Sequence, residues 1–122
     1  MESFEQYPFI DVEEGLGRTM NNKKLYAKLL NTFIKNTMES ALLAAIGEKN
    51  LEAALSTAHA IKGVTANLSL LRLRYYITWL ERELKTDGLD AAAFTGAEND
   101  RIKEYMQETA ASAERTAAKL SN

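Results

Sequence analysis

Residues 58–68 read Ala58-His59-Ala60-Ile61-Lys62-Gly63-Val64-Thr65-Ala66-Asn67-Leu68 and contain the only histidine of the 122-residue chain. At about 100° per residue, a helix through this stretch separates its side chains into two sectors. The sector expected to face a core holds Leu51, Ala54, Ala58, Ile61, Thr65 and Leu68. The imidazole of His59 points well away from that sector. The spacing therefore predicts a helix that buries one face and presents a histidine to solvent on another.

The surface around His59 is predicted to be flat. The residues that share or border its sector are Glu52, Leu55, Ser56, Lys62, Gly63 and Ala66. A helix brings Ser56, Gly63 and Ala66 alongside the histidine, and these residues are too small to shield a ring. A partner surface could therefore approach the imidazole closely.

Gly63 and Lys62 suggest a function for the helix face around His59. Glycine in a helix interior costs on the order of 1 kcal/mol relative to alanine, so Gly63 needs a reason. One reason is access of a partner to His59, and the alternative is that Gly63 packs against another helix backbone. Lys62 can bring its ammonium beside an anion carried on the ring. Together these residues describe a phosphate-accepting imidazole, although a lone helical histidine is more often an ordinary surface or core residue.

The longer run resembles the signature of histidine-containing phosphotransfer (HPt) domains, the carriers of two-component phosphorelays. In that family the signature reads approximately Ala-His-x-Leu-Lys-Gly-x-Ser/Ala-x-Asn-Leu-Gly, and the chain supplies Ala58, His59, Ile61, Lys62, Gly63, Asn67 and Leu68. The resemblance extends over roughly residues 11–85, and its further matches are Gly15, Leu16, Arg18, Tyr26, Leu29, Leu30, Phe33, Leu73, Ile77, Leu80 and Glu81. The positions that depart from the family pattern are Thr65, Ser69 and Leu70. They concern local packing and partner choice more than the chemistry of the histidine.

The resemblance implies a function and a set of partners. A response-regulator receiver domain would supply a phospho-aspartate with its Mg²⁺, and His59 would take the phosphoryl group and pass it to a second receiver. The family's usual acceptor atom is Nε2, Lys62 would steady the phosphoryl charge beside Gly63, and the docking surface would comprise Glu52, Leu55, Ser56 and Ala66. The partners would be receiver domains and a hybrid sensor kinase, and the chain would be a cytoplasmic monomer without kinase activity. Arg82 or Lys85 could assist, although solvated surface charge is the favoured interpretation of both.

Two other functions stay open at this point. A receiver-binding helical adaptor would keep the same face without productive phosphotransfer, although the joint presence of His59, Lys62 and Gly63 disfavours it. An enzyme with His59 as general base would need a pocket and substrate-binding residues, and none is recognisable. The sequence has no second histidine, no glycine-rich nucleotide loop and no cluster with metal-ligand spacing. We therefore expect neither a cofactor nor a bound metal.

The composition fits one globular domain over residues 1–122. Hydrophobic residues make up 46% and charged residues 26% of the chain, and no apolar run approaches the ~20 residues of a membrane span. The absence of cysteine excludes disulfides and Cys-based metal sites. A formal net charge of −2 disfavours nucleic acid as a partner, because binding to a phosphate backbone uses a basic stripe. The first residues lack the basic start and apolar core of a signal peptide, so a cytoplasmic location is expected.

Helical spacing runs through most of the chain, and no stretch alternates with the period of a strand. After an irregular lead-in at residues 1–10, the predicted helices are a short one from Asp11 to near Met20, a long one over 23–46 after an Asn22 cap, the histidine helix from Asn50 to Leu68, one from a Ser69 cap to Asp87, and a last one opened by the capping box Thr95-x-x-Glu98. The loop before the last helix has room for one helical turn at residues 90–94.

Each predicted helix has one apolar row. The expected inward residues are Tyr26, Leu30, Phe33, Ile34, Thr37, Met38, Ala41 and Ala45 in the long helix, then Leu70, Leu73, Ile77, Leu80 and Leu84, and finally Ile102, Tyr105, Met106, Thr109, Ala113, Ala117 and Leu120. Long helices with short connections and one apolar face each predict an all-α fold, specifically an antiparallel four-helix bundle with a short additional N-terminal helix.

Overall fold

The structure, a computed structural model, describes residues 3–89 and 96–121. Every regular element in these residues is helical, which confirms the predicted all-α class. The elements are a 3₁₀ turn at Phe4–Gln6 and the α-helices α1 (Val12–Arg18), α2 (Lys23–Lys35), α3 (Glu39–Gly47), α4 (Leu51–Leu68), α5 (Leu71–Asp87) and α6 (Gly96–Leu120). Among the described helices, none is long and apolar enough to cross a membrane.

Three helices begin at polar residues that the sequence marks as helix starts. The side chains of Asp11, Asn22 and Asn50 each accept a hydrogen bond of 3.0 Å from the backbone N–H three residues ahead. Each contact satisfies one of the N–H groups that lack a partner in the first turn of a helix. The starts of α1, α2 and α4 therefore follow from local sequence.

The predicted single helix over residues 23–46 is wrong, because the chain leaves the helical conformation between α2 and α3. There Met38 has a left-handed backbone, with a φ of 67°. Oδ1 of Asn36 accepts a hydrogen bond from the N–H of Met38, and Oγ1 of Thr37 accepts one from the N–H of Glu39, both at 3.3 Å. Short polar side chains that bond nearby backbone groups in this way favour a turn over continued helix.

This break changes the register of the buried residues. In α2 the expected Tyr26, Leu30 and Phe33 are buried. In α3 the buried residues are Leu42, Ala45 and Ile46, whereas Ala41, which was expected to face the core, is exposed. The prediction for Ala41 is wrong because it assumes that a single helix continues from α2 into α3 without interruption.

Ser69 ends α4 instead of capping α5, so the predicted cap is wrong. Its backbone is left-handed, with a φ of 57°, and the N–H groups of Ser69 and Leu70 donate to the carbonyls of Ala66 and Thr65 at 3.4 and 2.9 Å. This pattern of hydrogen bonds closes the C-terminal end of a helix. The Oγ of Ser69 donates to Oε1 of Glu14 in α1 at 2.9 Å, and α5 begins without a side-chain cap.

The buried rows of α5 and α6 follow the prediction. All the expected inward residues are buried except Leu120, which is half-buried. Tyr76 is buried too, although the spacing places it outside the narrow α5 row, and its hydroxyl donates to Oε1 of Glu98 at 2.7 Å. The predicted turn at 90–94 and Thr95 of the capping box lie outside the described residues.

Residues 3–10 of the lead-in pack onto α5 and α6 and are irregular apart from the 3₁₀ turn. The ring of Phe4 is buried edge-on to Tyr76 and Tyr105, with centroid distances of 5.4 and 6.4 Å. Nε of Arg72 in α5 donates to the carbonyl of Tyr7 at 2.8 Å. An aromatic contact and a charged hydrogen bond therefore hold this segment on the helices.

Tyr26 ties α2 to both α1 and α4. Its hydroxyl donates to the carbonyl of Leu68 at 2.6 Å, and its ring lies so close to Gly15 that a Cβ there would overlap the ring and the hydroxyl. Burial, with smaller contributions from the carboxylates of Asp11 and Glu14, raises the pKa of Tyr26 to about 12. Gly15 is therefore needed for the close approach of α1 to α2.

The packing of the helices determines which face of α4 is free. The α4 helix packs most extensively against α5, and α2 packs against α6, while α3 contacts both α4 and α6. The buried apolar side chains form one core. Because only Ser69 and Leu70 separate α4 from α5, α5 runs back along α4 and brings Glu81 alongside Lys62.

Candidate functional site

His59 lies on α4, on a face that points away from the core. Behind it the predicted row is buried at Ala54, Ala58, Ile61, Thr65 and Leu68. Leu51, which the spacing assigns to the same row, is 37% exposed at the start of the helix. The side chain of His59 is 74% exposed. A helix anchored in the core thus presents the imidazole at the surface.

The neighbours of His59 on α4 leave the ring open to approach. Gly63 is exposed, and no heavy atom of the described residues outside its own stretch of helix lies within 4 Å of where its Cβ would stand. The alternative that Gly63 packs against another helix backbone is therefore wrong. The side chains predicted to contact a partner are all exposed or half-buried, and they are Glu52, Leu55, Ser56 and Ala66.

Glu81 of α5 contacts two of the predicted site residues on α4, Lys62 and His59. Its Oε1 accepts a hydrogen bond of 2.6 Å from Nζ of Lys62, and its Oε2 lies 3.4 Å from Nδ1 of His59. Nζ of Lys85, one turn further along α5, lies 3.9 Å from Oε1. The Glu81 side chain is only 7% exposed. The site is therefore built around a nearly buried carboxylate.

Sequence reasoning missed the role of Glu81 and included it only among the positions that match the HPt family. A signal was present, because Glu81 follows Ile77 by four residues and precedes Leu84 by three. That spacing places a carboxylate in the inward row of α5. A buried carboxylate needs a cation or hydrogen-bond donors, and the neighbouring helix carries Lys62.

The charge of Glu81 is set by two opposing effects. Burial favours the neutral acid, while the hydrogen bond and positive charge of Lys62, with Lys85 and His59 contributing less, favour the carboxylate. The second effect is larger, so the pKa of Glu81 lies below its ordinary value. Glu81 is therefore ionised near neutral pH.

The contact with Glu81 selects one tautomer of the imidazole. An ionised carboxylate only accepts hydrogen bonds, so Nδ1 of His59 carries the proton when it faces Oε2 at 3.4 Å. In the neutral ring the other nitrogen then keeps its lone pair. In this tautomer the nitrogen with the free lone pair is therefore Nε2.

Lys62 is held by Glu81 and does not stand alone beside the ring as the sequence suggests. Its side chain is 33% exposed, and an ammonium has three N–H donors, of which Glu81 uses one. Donors therefore remain for an anion at His59. Of the two cations proposed on α5, Lys85 contacts Glu81, and Arg82 has an exposed side chain.

No protein-family model, curated protein or solved structure matches this chain. The chemistry of the site is therefore the basis on which a function can be assigned. Within residues 3–89 and 96–121, no three His, Asp or Glu side chains come close enough together to hold a metal ion.

An apolar groove of about 370 Å³ opens between α2 and the second half of α4. The side chains that line it are Leu29, Thr32, Phe33, Asn36, Met38, Val64, Asn67 and Leu68. Sequence analysis did not predict this groove, because part of its wall is the break between α2 and α3. Val64, the first α4 residue in its wall, follows Gly63 in the chain, and the groove lies on the side of α4 that faces α2.

Proposed function

We propose that this chain is a phosphorelay carrier, which accepts a phosphoryl group on Nε2 of His59 from a receiver-domain phospho-aspartate and passes it to another receiver. One observation carries the proposal: an exposed imidazole faces an ionised, nearly buried carboxylate through Nδ1. This arrangement leaves a nucleophilic nitrogen accessible, with Lys62 held next to it. The resemblance of residues 58–68 to the HPt signature supports the same function.

The transfer needs little from the carrier itself. The lone pair of Nε2 forms an N–P bond while the P–O bond to the receiver aspartate breaks, and the departing carboxylate takes that electron pair. The receiver supplies the phospho-aspartate and its Mg²⁺. The free N–H donors of Lys62 can bind the phosphoryl oxygens, because a charge-assisted hydrogen bond favours the anion.

The surface around the histidine suits a docking partner. Gly63 and its small neighbours allow a close approach, and the groove between α2 and α4 offers further apolar area on the same helix. Within this proposal, α2 with α3, α4, α5 and α6 correspond to the antiparallel four-helix bundle of the HPt family, and α1 is its additional N-terminal helix. The proposed setting is the cytoplasm, with a hybrid sensor kinase upstream.

The proposal is tested by transfer from receivers. A set of receiver domains phosphorylated with acetyl phosphate is incubated with the chain, and the product is analysed by mass spectrometry. We expect one acid-labile phosphoryl group on His59, none in a His59→Gln variant, and none with ATP alone. Acetyl phosphate without a receiver is the control for direct labelling.

Two results would contradict the proposal. Label that persists in His59→Gln would place the acceptor elsewhere, and label from ATP alone would reveal a nucleotide site. A receiver that binds the chain tightly but never transfers its phosphoryl group would favour the alternative of a receiver-binding adaptor.

A further inference from the structure

A row of lysines runs along the face of α2 that borders the end of α6. Lys24, Lys28 and Lys35 line an open cleft of about 520 Å³, and Ser121 lies in its wall on the side of α6. No residue of α4 or α5 lines this cleft. It is therefore separate from the helix face that carries His59.

The three lysines form a straight stripe. At about 100° per residue, Lys24, Lys28 and Lys35 fall within about 40° of one another around the α2 axis, and Asn31 lies beside the same line. From Lys24 to Lys35 the stripe extends about 16 Å along the helix. The neighbouring Lys23 points about 100° away from Lys24 and lies off the stripe.

The stability of α2 does not explain this stripe. The helix carries four lysines and no acidic residue, although the whole chain has 17 acidic and 15 basic residues. Positive charge in the first turn opposes the helix dipole, and Lys24 and Lys28 are like charges four residues apart, so both features disfavour the helix. Within the described residues, the ammonium groups of Lys24, Lys28 and Lys35 take part in no ion pair or hydrogen bond that would offset this cost.

We propose that the stripe of Lys24, Lys28 and Lys35 is a docking surface for an acidic helix of another protein. Charge complementarity identifies the partner, because carboxylates spaced four and then seven residues apart on a helix would lie opposite the three ammonium groups when the two helices lie side by side. The inference goes beyond the proposed function, since it concerns another face of the molecule and needs no phosphoryl transfer.

The shape of the cleft favours a protein over an anionic membrane as the occupant. Its wall includes the buried Ala27, so side chains that project from a partner can enter the cleft, whereas a flat lipid surface cannot. Binding of a helix to a membrane surface also uses an apolar face that inserts among the lipids. In α2 that face, with Tyr26, Leu30 and Phe33, is buried in the core.

The test titrates the ¹⁵N-labelled chain at low salt with a designed peptide, an alanine- and glutamine-rich helix with glutamates at positions i, i+4 and i+11. A peptide of the same composition with its glutamates spread around the helix is the control ligand. We expect amide NMR shifts to change along α2 and at the end of α6 with the first peptide only. Added salt should weaken this binding, because exposed charges are screened.

Variants of the chain test which lysines bind. The dissociation constant of the first peptide should rise about threefold in Lys28→Gln and at least about tenfold in the triple variant Lys24→Gln/Lys28→Gln/Lys35→Gln. Lys23→Gln is the matched control, because it removes the same charge from the same helix off the stripe. Its dissociation constant should change less than about twofold.

The melting temperature of the triple variant separates docking from a role within the fold. Because the lysines oppose the helix dipole and repel one another, this variant should melt at the same temperature as wild type or slightly higher. A clearly lower melting temperature would show that the lysines stabilise α2 against α6, and it would overturn the inference.

The binding results can overturn the inference as well. They do so if the first peptide causes no shift changes at about 1 mM, if both peptides bind equally, or if Lys23→Gln loses as much affinity as Lys28→Gln. Flotation with phosphatidylserine vesicles tests the other occupant, and vesicle binding that needs the three lysines, without peptide binding, would assign the stripe to a membrane instead. Failure of the proposed function would look different, because receivers would not phosphorylate His59 while peptide binding stayed intact.

Discussion

Lys62 donates a hydrogen bond of 2.6 Å from Nζ to Oε1 of Glu81, across the contact between α4 and α5. The two residues are 19 positions apart in the sequence. The pair neutralises a nearly buried carboxylate and keeps an ammonium next to the imidazole. The same contact therefore affects both the stability of the fold and the chemistry of the site.

Replacing Lys62 with Ala should lower the free energy of unfolding. The variant leaves Glu81 without its closest cation, and we expect a loss of about 1 to 2 kcal/mol, because solvent already screens the partly exposed ammonium. Chemical unfolding at neutral pH measures the loss. Lys85→Ala is the control, since its Nζ lies 3.9 Å from the carboxylate, and it should cost less than about 0.5 kcal/mol. Equal losses of unfolding free energy in the two variants would show that the short hydrogen bond of Lys62 stabilises the protein no more than the longer contact of Lys85 does.

Lys62→Ala should also slow phosphoryl transfer.

The stability of the protein should depend on the charge of Glu81. Burial opposes ionisation, but Lys62 outweighs it and holds the pKa of Glu81 below its ordinary value of 4.5. A lowered pKa in the folded state stabilises the fold above the pKa of the unfolded chain, and this contribution is lost as the pH falls through the folded value. Wild type should therefore be more stable than Glu81→Gln at pH 7, and the gap should narrow below about pH 4.5. Urea unfolding of both proteins across this pH range tests the prediction. A pH-independent difference in their free energies of unfolding would argue against a stabilising ion pair between Lys62 and Glu81.

Substitutions at Gly63 distinguish an effect on folding from an effect on receiver docking. Because a Cβ at this position meets open space, Gly63→Ala and Gly63→Gln should keep the melting temperature or raise stability by up to about 1 kcal/mol. Transfer from a phosphorylated receiver should nevertheless fall at least tenfold in Gly63→Gln, because the longer side chain stands one turn from His59. Loading with phosphoramidate should be unchanged and serves as the control. A destabilised Gly63→Gln that still transfers normally would rule out the docking role.

Gly15 and Gly17 form a matched pair within α1. A Cβ at Gly15 would overlap the ring of Tyr26, whereas one at Gly17 meets no described atom within 4 Å beyond its own helix and chain neighbours. Gly15→Ala should therefore destabilise the protein by about 1 to 3 kcal/mol, while Gly17→Ala should be neutral or slightly stabilising. Thermal unfolding of the two variants measures the difference. Similar melting temperatures would mean that α1 can shift away from α2 at little cost.

The groove between α2 and the second half of α4 should contribute to receiver binding. Leu29 is 38% exposed and lines the groove, so Leu29→Glu places a charge on the apolar surface without emptying the core. We expect receiver affinity to fall about tenfold or more, with little change in stability, because burying an unpaired charge at an interface is costly. Isothermal titration with a receiver measures the affinity, and unchanged phosphoramidate loading shows that the imidazole is intact. Unaltered affinity would place the docking surface on another side of His59.

The sequence by itself determined the helical class, the extent of α4 and the outward direction of His59. These features depend on contacts within one helix: the spacing of apolar residues, the cap at Asn50, and the small side chains near the ring. The same local logic correctly gave the buried rows of α5 and α6, apart from Leu120 at the end of α6. Each of these features could be predicted from the sequence because it depends on residues that lie close together in the chain.

Only the tertiary structure decided how the site is assembled. The break at Asn36 removes one continuous helix and opens the groove, and Ser69 closes α4 because its hydroxyl reaches Glu14 and its backbone bonds back into the helix. Above all, the partner of Lys62 depends on where α5 lies against α4. The tautomer of the imidazole therefore follows from helix packing, because a carboxylate that is distant in sequence lies next to Nδ1 only after the core has formed.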